Sequence, residues 1–224
     1  MTHKGNGTFG KPTGKKIYVR TIADCVCREN RIIHEWLVRD QAAIAMQLGL
    51  EPRALAQRLL NERGGWTKPI PGPAPAGYLS EISRASMASA YVVAIEDLAM
   101  RNEKRARGIC DSAVQQSGPG GQVIYGFHDV LSFWSGLFAA LSVQNFCVEH
   151  LAFQTGGGRP DRLAARWRAK TTHSADGRYG VATGKPVELL AICHAEFVAG
   201  RVIREWVLID DIAIWMQILD AGVG

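Results

Sequence analysis

The chain has 224 residues, a formal net charge of +5 and 47% hydrophobic residues. No apolar run approaches the roughly 18 residues that a membrane helix needs, and the polar start does not resemble a signal peptide, so we expect a cytoplasmic protein. The lysines and arginines are scattered, which favours a solvated surface over a nucleic-acid interface. The five cysteines lack zinc-type spacing, so they predict buried thiols and no metal site.

The N-terminal 54 residues predict a β-hairpin followed by a short helix. The predicted strands are rich in β-branched and apolar residues and flank a turn at Asn30; they are residues 17–27 and 31–40. A helix is predicted for Gln41–Leu48, and a further helical piece for residues 53–62.

Residues 55–78 are predicted to be a linker between two domains. Its second half is rich in proline, with Pro69, Pro71, Pro73 and Pro75. Such a composition favours a semi-extended conformation, so the domain boundary is placed here.

Residues 79–224 predict a complete α+β domain. Apolar residues at helical spacing predict helices over residues 80–107 and 128–141, separated by a strand or loop around Pro119. The predicted strands are residues 143–153, 162–173, 187–198 and 201–210. Helices followed by strands and a short last helix indicate an α+β layout with an antiparallel sheet.

The strand of residues 162–173 has a clear two-sided pattern. The predicted inner face carries Leu163, Ala165, Trp167, Ala169, Thr171 and His173. The other face carries Arg166, Arg168 and Lys170, because side chains alternate along a strand.

An internal repeat links the two ends of the chain. Fourteen residues recur after the same interval of 170 positions, without insertion or deletion: Thr2, His3, Gly7, Gly10, Thr13, Gly14, Lys15, Arg31, Ile33, Glu35, Trp36, Asp40, Met46 and Gln47. The first copy has no counterpart of the two long helices, and a lone hairpin is not stable in water. We therefore expect it to pack on the complete domain or on another subunit, or to belong to a shortened tandem protein.

The hairpin of the second copy places an acid beside a tryptophan. A turn that pairs Val198 with Arg201 predicts Trp206, Leu208 and Asp210 on one face. The same register puts His194 opposite Glu205 on the other face. A carboxylate on an apolar face is costly unless it has a partner or a role.

Four segments of the chain carry a family resemblance. They are R-W-R-A-K-T-T-H-S-A-D-G-R-Y-G-V-A-T-G-K (166–185), I-C-H-A-E (192–196), G-R-V-I-R-E-W-V-L-I-D-D (200–211) and P-G-G-Q-V-I-Y-G (119–126). Together they resemble the SnoaL-like polyketide cyclases of the nuclear transport factor 2-like superfamily. The resemblance covers residues 79–224, and residues 2–50 as a partial second copy. It implies a cone-shaped curved sheet wrapped around helices, an apolar pocket and frequent dimerisation.

The resemblance also implies a catalytic aspartate that closes a ring by an aldol reaction without metal or cofactor. The W-x3-D motif carries this role to Asp210. The alternative is that Asp210 caps the helix that starts at Ile212, because aspartate is a preferred N-cap residue.

Further side chains are candidates for the same pocket. His173 is either an acid or oxyanion donor at the pocket mouth or a loop-fixing histidine, and His194 is either a ligand contact or the cross-strand partner of Glu205. The aromatic candidates for the lining, which also fit plain core packing, are Trp167, Trp206, Tyr179 and Phe197.

Two functions follow as hypotheses. The first is a cofactor-independent cyclase or isomerase that acts on a hydrophobic, carbonyl-bearing small molecule and forms a homodimer. The second is a non-catalytic ligand-binding or oligomerisation module of the same superfamily.

Overall fold

The protein is described by a computed structural model over residues 1–68 and 86–221. The chain forms two compact units. The first contains residues 1–68, 119–121 and 208–221, and the second contains residues 86–118 and 122–207. Within the described residues, no helix is both long and apolar enough to cross a membrane. The proline-rich part of the predicted linker lies outside these residues.

The first unit joins a hairpin to three helices. Strands β1 (Thr21–Arg28) and β2 (Arg31–Arg39) pair antiparallel, and helices α1 (Gln41–Leu48) and α2 (Pro52–Arg63) follow. The last helix of the chain, α6 (Asp211–Leu219), belongs to the same unit. The apolar core of the three helices consists of Ala42, Ala45, Leu55, Ala56, Leu59, Leu60, Ile212 and Met216.

The second unit is built around a six-stranded sheet. Its helices are α3 (Ser86–Ala99), α4 (Lys104–Ile109) and α5 (Phe127–Ala140). Its strands are β3 (Cys110–Ser117), β4 (Val123–Tyr125), β5 (Leu141–Gln154), β6 (Asp161–His173), β7 (Pro186–Val198) and β8 (Arg201–Ile209), whose last two residues group with the first unit. The strand order is β4-β3-β8-β7-β6-β5, and β3 pairs with β8 in parallel. The predicted α+β class is confirmed, with this parallel pair as the departure from an antiparallel sheet.

The predicted helix over residues 80–107 is wrong in its length, because it is interrupted after Ala99. Arg101 adopts a left-handed conformation with φ of +62°, and the N–H of Asn102 donates to the carbonyl of Asp97. This hydrogen-bond pattern ends a helix as a C-terminal glycine does. The side chain of Asn102 then accepts from the N–H of Lys104, where α4 begins. Residues 80–85 lie outside the described part.

The alternation predicted for β6 is confirmed. All six residues of its predicted inner face are buried, with exposed fractions of at most 2%. On the other face, Arg166 is also buried, and its charge is paired with Glu149 at 3.0 Å.

The two segments related by 170 positions make the same local hydrogen bonds. The N–H of His3 donates to the carbonyl of Lys15 at 2.9 Å, and that of His173 donates to Lys185 at 2.9 Å. Each imidazole Nδ1 also lies 3.1 Å from a threonine hydroxyl, that of Thr13 or of Thr183. Equal residues therefore produce equal local structure at these positions.

Candidate active site

A buried carboxyl group, that of Glu205, lies inside the second unit. Glu205 comes from β8 and is 5% exposed. The Tyr91 hydroxyl on α3 donates to its Oε1 at 2.6 Å, and the Gln116 Nε2 on β3 donates to its Oε2 at 2.6 Å. The Trp134 side chain on α5 forms a further hydrogen bond to the carboxylate. We call these four residues the Glu205 cluster.

Burial controls the ionisation of the cluster. It raises the pKa of Glu205 above the ordinary 4.5, against the hydrogen bonds from Tyr91, Gln116 and Trp134, which lower it. Burial and the nearby carboxylate also hold the pKa of Tyr91 well above 10, so this phenol remains a donor. A carboxyl group with a raised pKa is suited to both taking and giving a proton.

The cysteines near Glu205 are not nucleophiles at neutral pH. Burial raises the pKa of Cys110 to about 12, and it raises that of Cys193 further. Both side chains therefore remain neutral thiols, and the Cys193 sulfur accepts from the Trp167 indole N–H at 3.3 Å.

Aromatic rings surround the cluster. Trp167 is fully buried, and its ring centroid lies 6.3 Å from those of Trp134 and Phe138. Phe197 contacts the Tyr91 ring edge to face at 6.1 Å. The structure thus places two of the predicted lining residues beside members of the Glu205 cluster, Trp167 beside Trp134 and Phe197 beside Tyr91. An apolar surrounding of this kind keeps the dielectric around a carboxyl group low.

One acceptor atom of the cluster has no partner among the described residues. Gln116 is fully buried, and its Oε1 atom makes no hydrogen bond to any of them. A buried carbonyl oxygen without a donor is uncommon in folded proteins and costs free energy.

Asp210 lies in the first unit, as the N-cap of α6. Its Oδ1 accepts from the N–H groups of Ile212 and Ala213 at 3.1 and 3.2 Å, and its Oδ2 accepts from Gln41 at 2.7 Å. Burial raises the pKa of Asp210, while the Gln41 and Ala213 hydrogen bonds lower it. The capping alternative of the sequence analysis is therefore present in the structure.

His173 ends β6 in the second unit and is fully buried. Its Nδ1 contacts Thr183, while its Nε2 has no partner among the described residues. Burial lowers the pKa of His173 below 6.5, so the ring is neutral at neutral pH. Tyr179 is buried in the following loop, where its hydroxyl accepts from Arg178 Nε at 3.3 Å.

The burial of β8 does not follow the predicted faces, although Leu208 of the predicted Trp206 face is buried. Glu205 and Val207 are buried, whereas Trp206 is half-buried with the Arg204 guanidinium 5.9 Å above its ring. His194 is exposed, so its predicted pairing with Glu205 is wrong.

The pairing of β8 with β3 indicates a physical reason for the inward direction of Glu205. Gln116 and Glu205 lie opposite each other in this parallel pairing, and their side chains form a hydrogen bond at 2.6 Å. Alternation counted from the hairpin turn does not contain this contact between distant segments.

A separate surface pocket of about 290 Å³ lies beside α5. It is lined by Gln122, Ile124, Asp129, Ser132, Phe133, Gly136, Leu137 and Arg178. The Arg178 guanidinium lies 5.4 Å above the Phe133 ring. In the described part of the chain, no group of three or more His, Cys, Asp or Glu residues is arranged to hold a metal ion.

Comparisons with known proteins agree with this fold. A family model described as SnoaL-like polyketide cyclase matches residues 88–218. A protein from Jannaschia sp. CCS1, assigned as a SnoaL-like polyketide cyclase, is 13% identical, with a TM-score of 0.50 over 66% of this chain and 100% of that one. A SnoaL-like polyketide cyclase from Agrobacterium tumefaciens is 20% identical, with a TM-score of 0.45 over 57% of this chain and 94% of that one. None of the curated proteins compared with the chain matches it.

Proposed function

Because the chain belongs to the SnoaL-like polyketide cyclase family, we propose that it is a cofactor-independent cyclase or isomerase with Glu205 as its general acid and base. The substrate class is a hydrophobic small molecule that carries a carbonyl group. The observation that carries this proposal is the Glu205 carboxyl group, buried among aromatic rings with a raised pKa.

The proposed step is an internal proton transfer followed by bond formation. The Glu205 carboxylate removes a proton from the carbon next to the substrate carbonyl, and the C–H electron pair becomes an enolate. In a cyclase, the enolate carbon attacks a second carbonyl of the same molecule and closes the ring. The resulting alkoxide takes the proton back from the Glu205 carboxyl, so no external reactant is consumed. In an isomerase, the proton returns to a different atom of the enolate.

The neighbours of Glu205 have separate roles in this proposal. Tyr91 and Gln116 hold the two carboxyl oxygens in place, since each donates at 2.6 Å. The rings of Trp134, Trp167 and Phe197 exclude water and offer an apolar surface to the substrate. Fixing the acid in a dry site removes the reorganisation that water would require.

A competing proposal keeps Asp210 as the acid, with assistance from His173. Its support is the W-x3-D motif and the raised pKa of Asp210. Against it, three hydrogen bonds commit the Asp210 carboxylate to the helix cap and to Gln41. The substrate-contact roles of His194, Trp206 and Tyr179 remain proposals of the same kind.

The experiment uses benzylacetone, a hydrophobic ketone, in deuterated buffer. Proton NMR follows the exchange of the hydrogens next to the carbonyl group. We expect the wild-type chain to accelerate exchange and Glu205→Gln to reduce the rate by about 10²- to 10⁴-fold, the usual contribution of a general acid or base. Asp210→Asn is the matched control and is expected to keep the wild-type rate; loss of exchange in this variant alone would assign the acid to Asp210.

The second candidate function is a non-catalytic ligand-binding or oligomerisation module. It is favoured by one feature: both carboxyl oxygens of Glu205 already have internal donors, as in a structural hydrogen-bond network. Exchange no faster in the presence of the wild-type chain than in buffer would support this function and overturn the first.

Three further expectations belong with the proposal. Residues 1–54 are a partial second copy of the domain, supported by the shared hydrogen bonds of His3 and His173. The chain is a homodimer, which light scattering can test, and it is cytoplasmic, which fractionation of the source cells can test.

A further inference from the structure

Gln116 presents an acceptor directly beside the buried acid. Its Nε2 is committed to Glu205 at 2.6 Å, so the other atom of the same amide, Oε1, necessarily lies within a few ångströms of the carboxyl group. The side chain is fully buried, and Oε1 has no donor among the described residues. A donor that reached Oε1 would therefore be fixed next to the proposed catalytic group.

The space next to this oxygen is bounded by Gly118 and Phe133. A methyl group added at Gly118 would lie 3.9 Å from Gln116 Oε1 and 3.7 Å from Phe133 Cε2. Phe133 also lines the surface pocket of about 290 Å³. The Phe133 side chain is thus common to the lining of the pocket and to the surroundings of Gly118 beside Oε1.

We propose that Gln116 Oε1 is the binding site for a hydroxyl group of the ligand, which reaches it from the pocket beside Phe133. This inference rests on the proposed function in one respect: it narrows the proposed substrate class to ketones that also carry a hydroxyl donor. The hydroxyl site itself is inferred from the geometry of Gln116. A hydroxyl donates to the amide oxygen, whereas an ether or a second carbonyl cannot, so the site discriminates donors from acceptors.

Three probes of similar shape measure how much the hydroxyl donor contributes to the affinity of the ligand. They are para-hydroxybenzylacetone, its methyl ether para-methoxybenzylacetone, and benzylacetone itself. Isothermal titration with the full-length chain is expected to give an affinity about fivefold higher for the hydroxyl compound than for benzylacetone, the effect of one net hydrogen bond. The methyl ether is expected to bind no better than benzylacetone, because it leaves the amide oxygen without a donor.

Two variants test whether the preference for the hydroxyl compound depends on Gln116 Oε1. Gln116→Met keeps the length of the side chain but removes both the Oε1 acceptor and the Nε2 donor to Glu205, so we expect the hydroxyl preference to disappear. Gly118→Ala narrows the space beside Oε1 at a backbone φ of −97°, which alanine adopts without strain, so we expect the preference to fall while the fold is retained. Circular dichroism of both variants checks the fold.

The titration distinguishes this inference from the proposed function. Binding with a hydroxyl preference but without deuterium exchange would retain the inference and overturn the catalysis. Equal affinity for the three probes, absence of binding, or a preference that persists in Gln116→Met would overturn the inference.

Discussion

The two helix-capping aspartates offer a matched pair of substitutions within one unit. Asp40 and Asp210 are separated by 170 positions, and each caps the helix that follows it. We predict that Asp210→Asn leaves the stability nearly unchanged, whereas the same substitution at Asp40 is clearly destabilising. Both residues belong to the first unit, so one unfolding transition reports on both.

The expected difference in stability comes from the partner of the Oδ2 atom in each of the two aspartates. Asp40 Oδ1 accepts from the N–H groups of Ala43 and Gly120, at 3.0 and 2.9 Å, and its Oδ2 accepts from Gly121 at 2.9 Å. An asparagine at position 40 would turn its NH₂ group towards the backbone N–H of Gly121, which cannot rotate away. A donor left facing a donor in a site that is 1% exposed costs about 1–3 kcal/mol.

At position 210 the Oδ2 atom accepts from the Gln41 side chain and not from a backbone N–H group. Gln41 can rotate its amide and accept from an asparagine, and asparagine is as good an N-cap as aspartate. We therefore expect Asp210→Asn to cost less than about 0.5 kcal/mol. Asp210→Ala is expected to cost about 1–2 kcal/mol, because it removes the cap.

Urea denaturation followed by circular dichroism measures these changes as shifts of the midpoint at a constant slope. Equal stability of Asp40→Asn and Asp210→Asn would contradict this prediction, because it would mean that the N–H groups of Gly120 and Gly121 do not depend on the Asp40 carboxylate. Loss of ketone exchange in a stable Asp210→Asn would refute the purely capping role of Asp210.

Further predictions concern pH and backbone strain. The pKa of Glu205 is raised in the folded chain, so its contribution to stability, measured against Glu205→Gln, is complete below the unfolded-state pKa of about 4.5. This contribution decreases by about 1.4 kcal/mol for each pH unit between the unfolded-state and folded-state pKa values, and it is lost as the pH rises through the folded-state pKa. The pKa of His173 is lowered, so an NMR titration should give a midpoint below 6.5, and its contribution to stability should be lost as the pH falls below 6.5. Gly120→Ala should cost about 1–2 kcal/mol, because φ is +75° there and the new methyl would lie 3.3 Å from Met46 Cε, whereas Gly118→Ala should change the stability little.

Much of the fold could be predicted from local patterns in the sequence. The period-2 pattern of β6 identified its inner face, and the matched residues at an interval of 170 positions identified two segments with equal local hydrogen bonds. These patterns succeed because the side chains of a regular strand alternate, and because equal short sequences make equal turns. The α+β class followed from the order of the elements.

The central acid could not be identified in the same way. The parallel pairing of β8 with β3 places Glu205 opposite Gln116, and this pairing leaves no signal in the periodicity of the sequence. The partners of Glu205 are also remote in sequence, since Tyr91 is 114 residues away and Gln116 is 89 residues away. The break after Ala99 was missed because arginine, rather than glycine, adopts the left-handed conformation there.

The pH dependence of ketone exchange tests the catalytic role of Glu205 most directly. We expect the rate for benzylacetone with the wild-type chain to fall as the pH decreases through an apparent pKa above 4.5, because protonation removes the base. We expect Glu205→Gln to lack both the accelerated exchange and this pH transition. An unchanged rate and pH profile in Glu205→Gln would show that Glu205 is not the catalytic base.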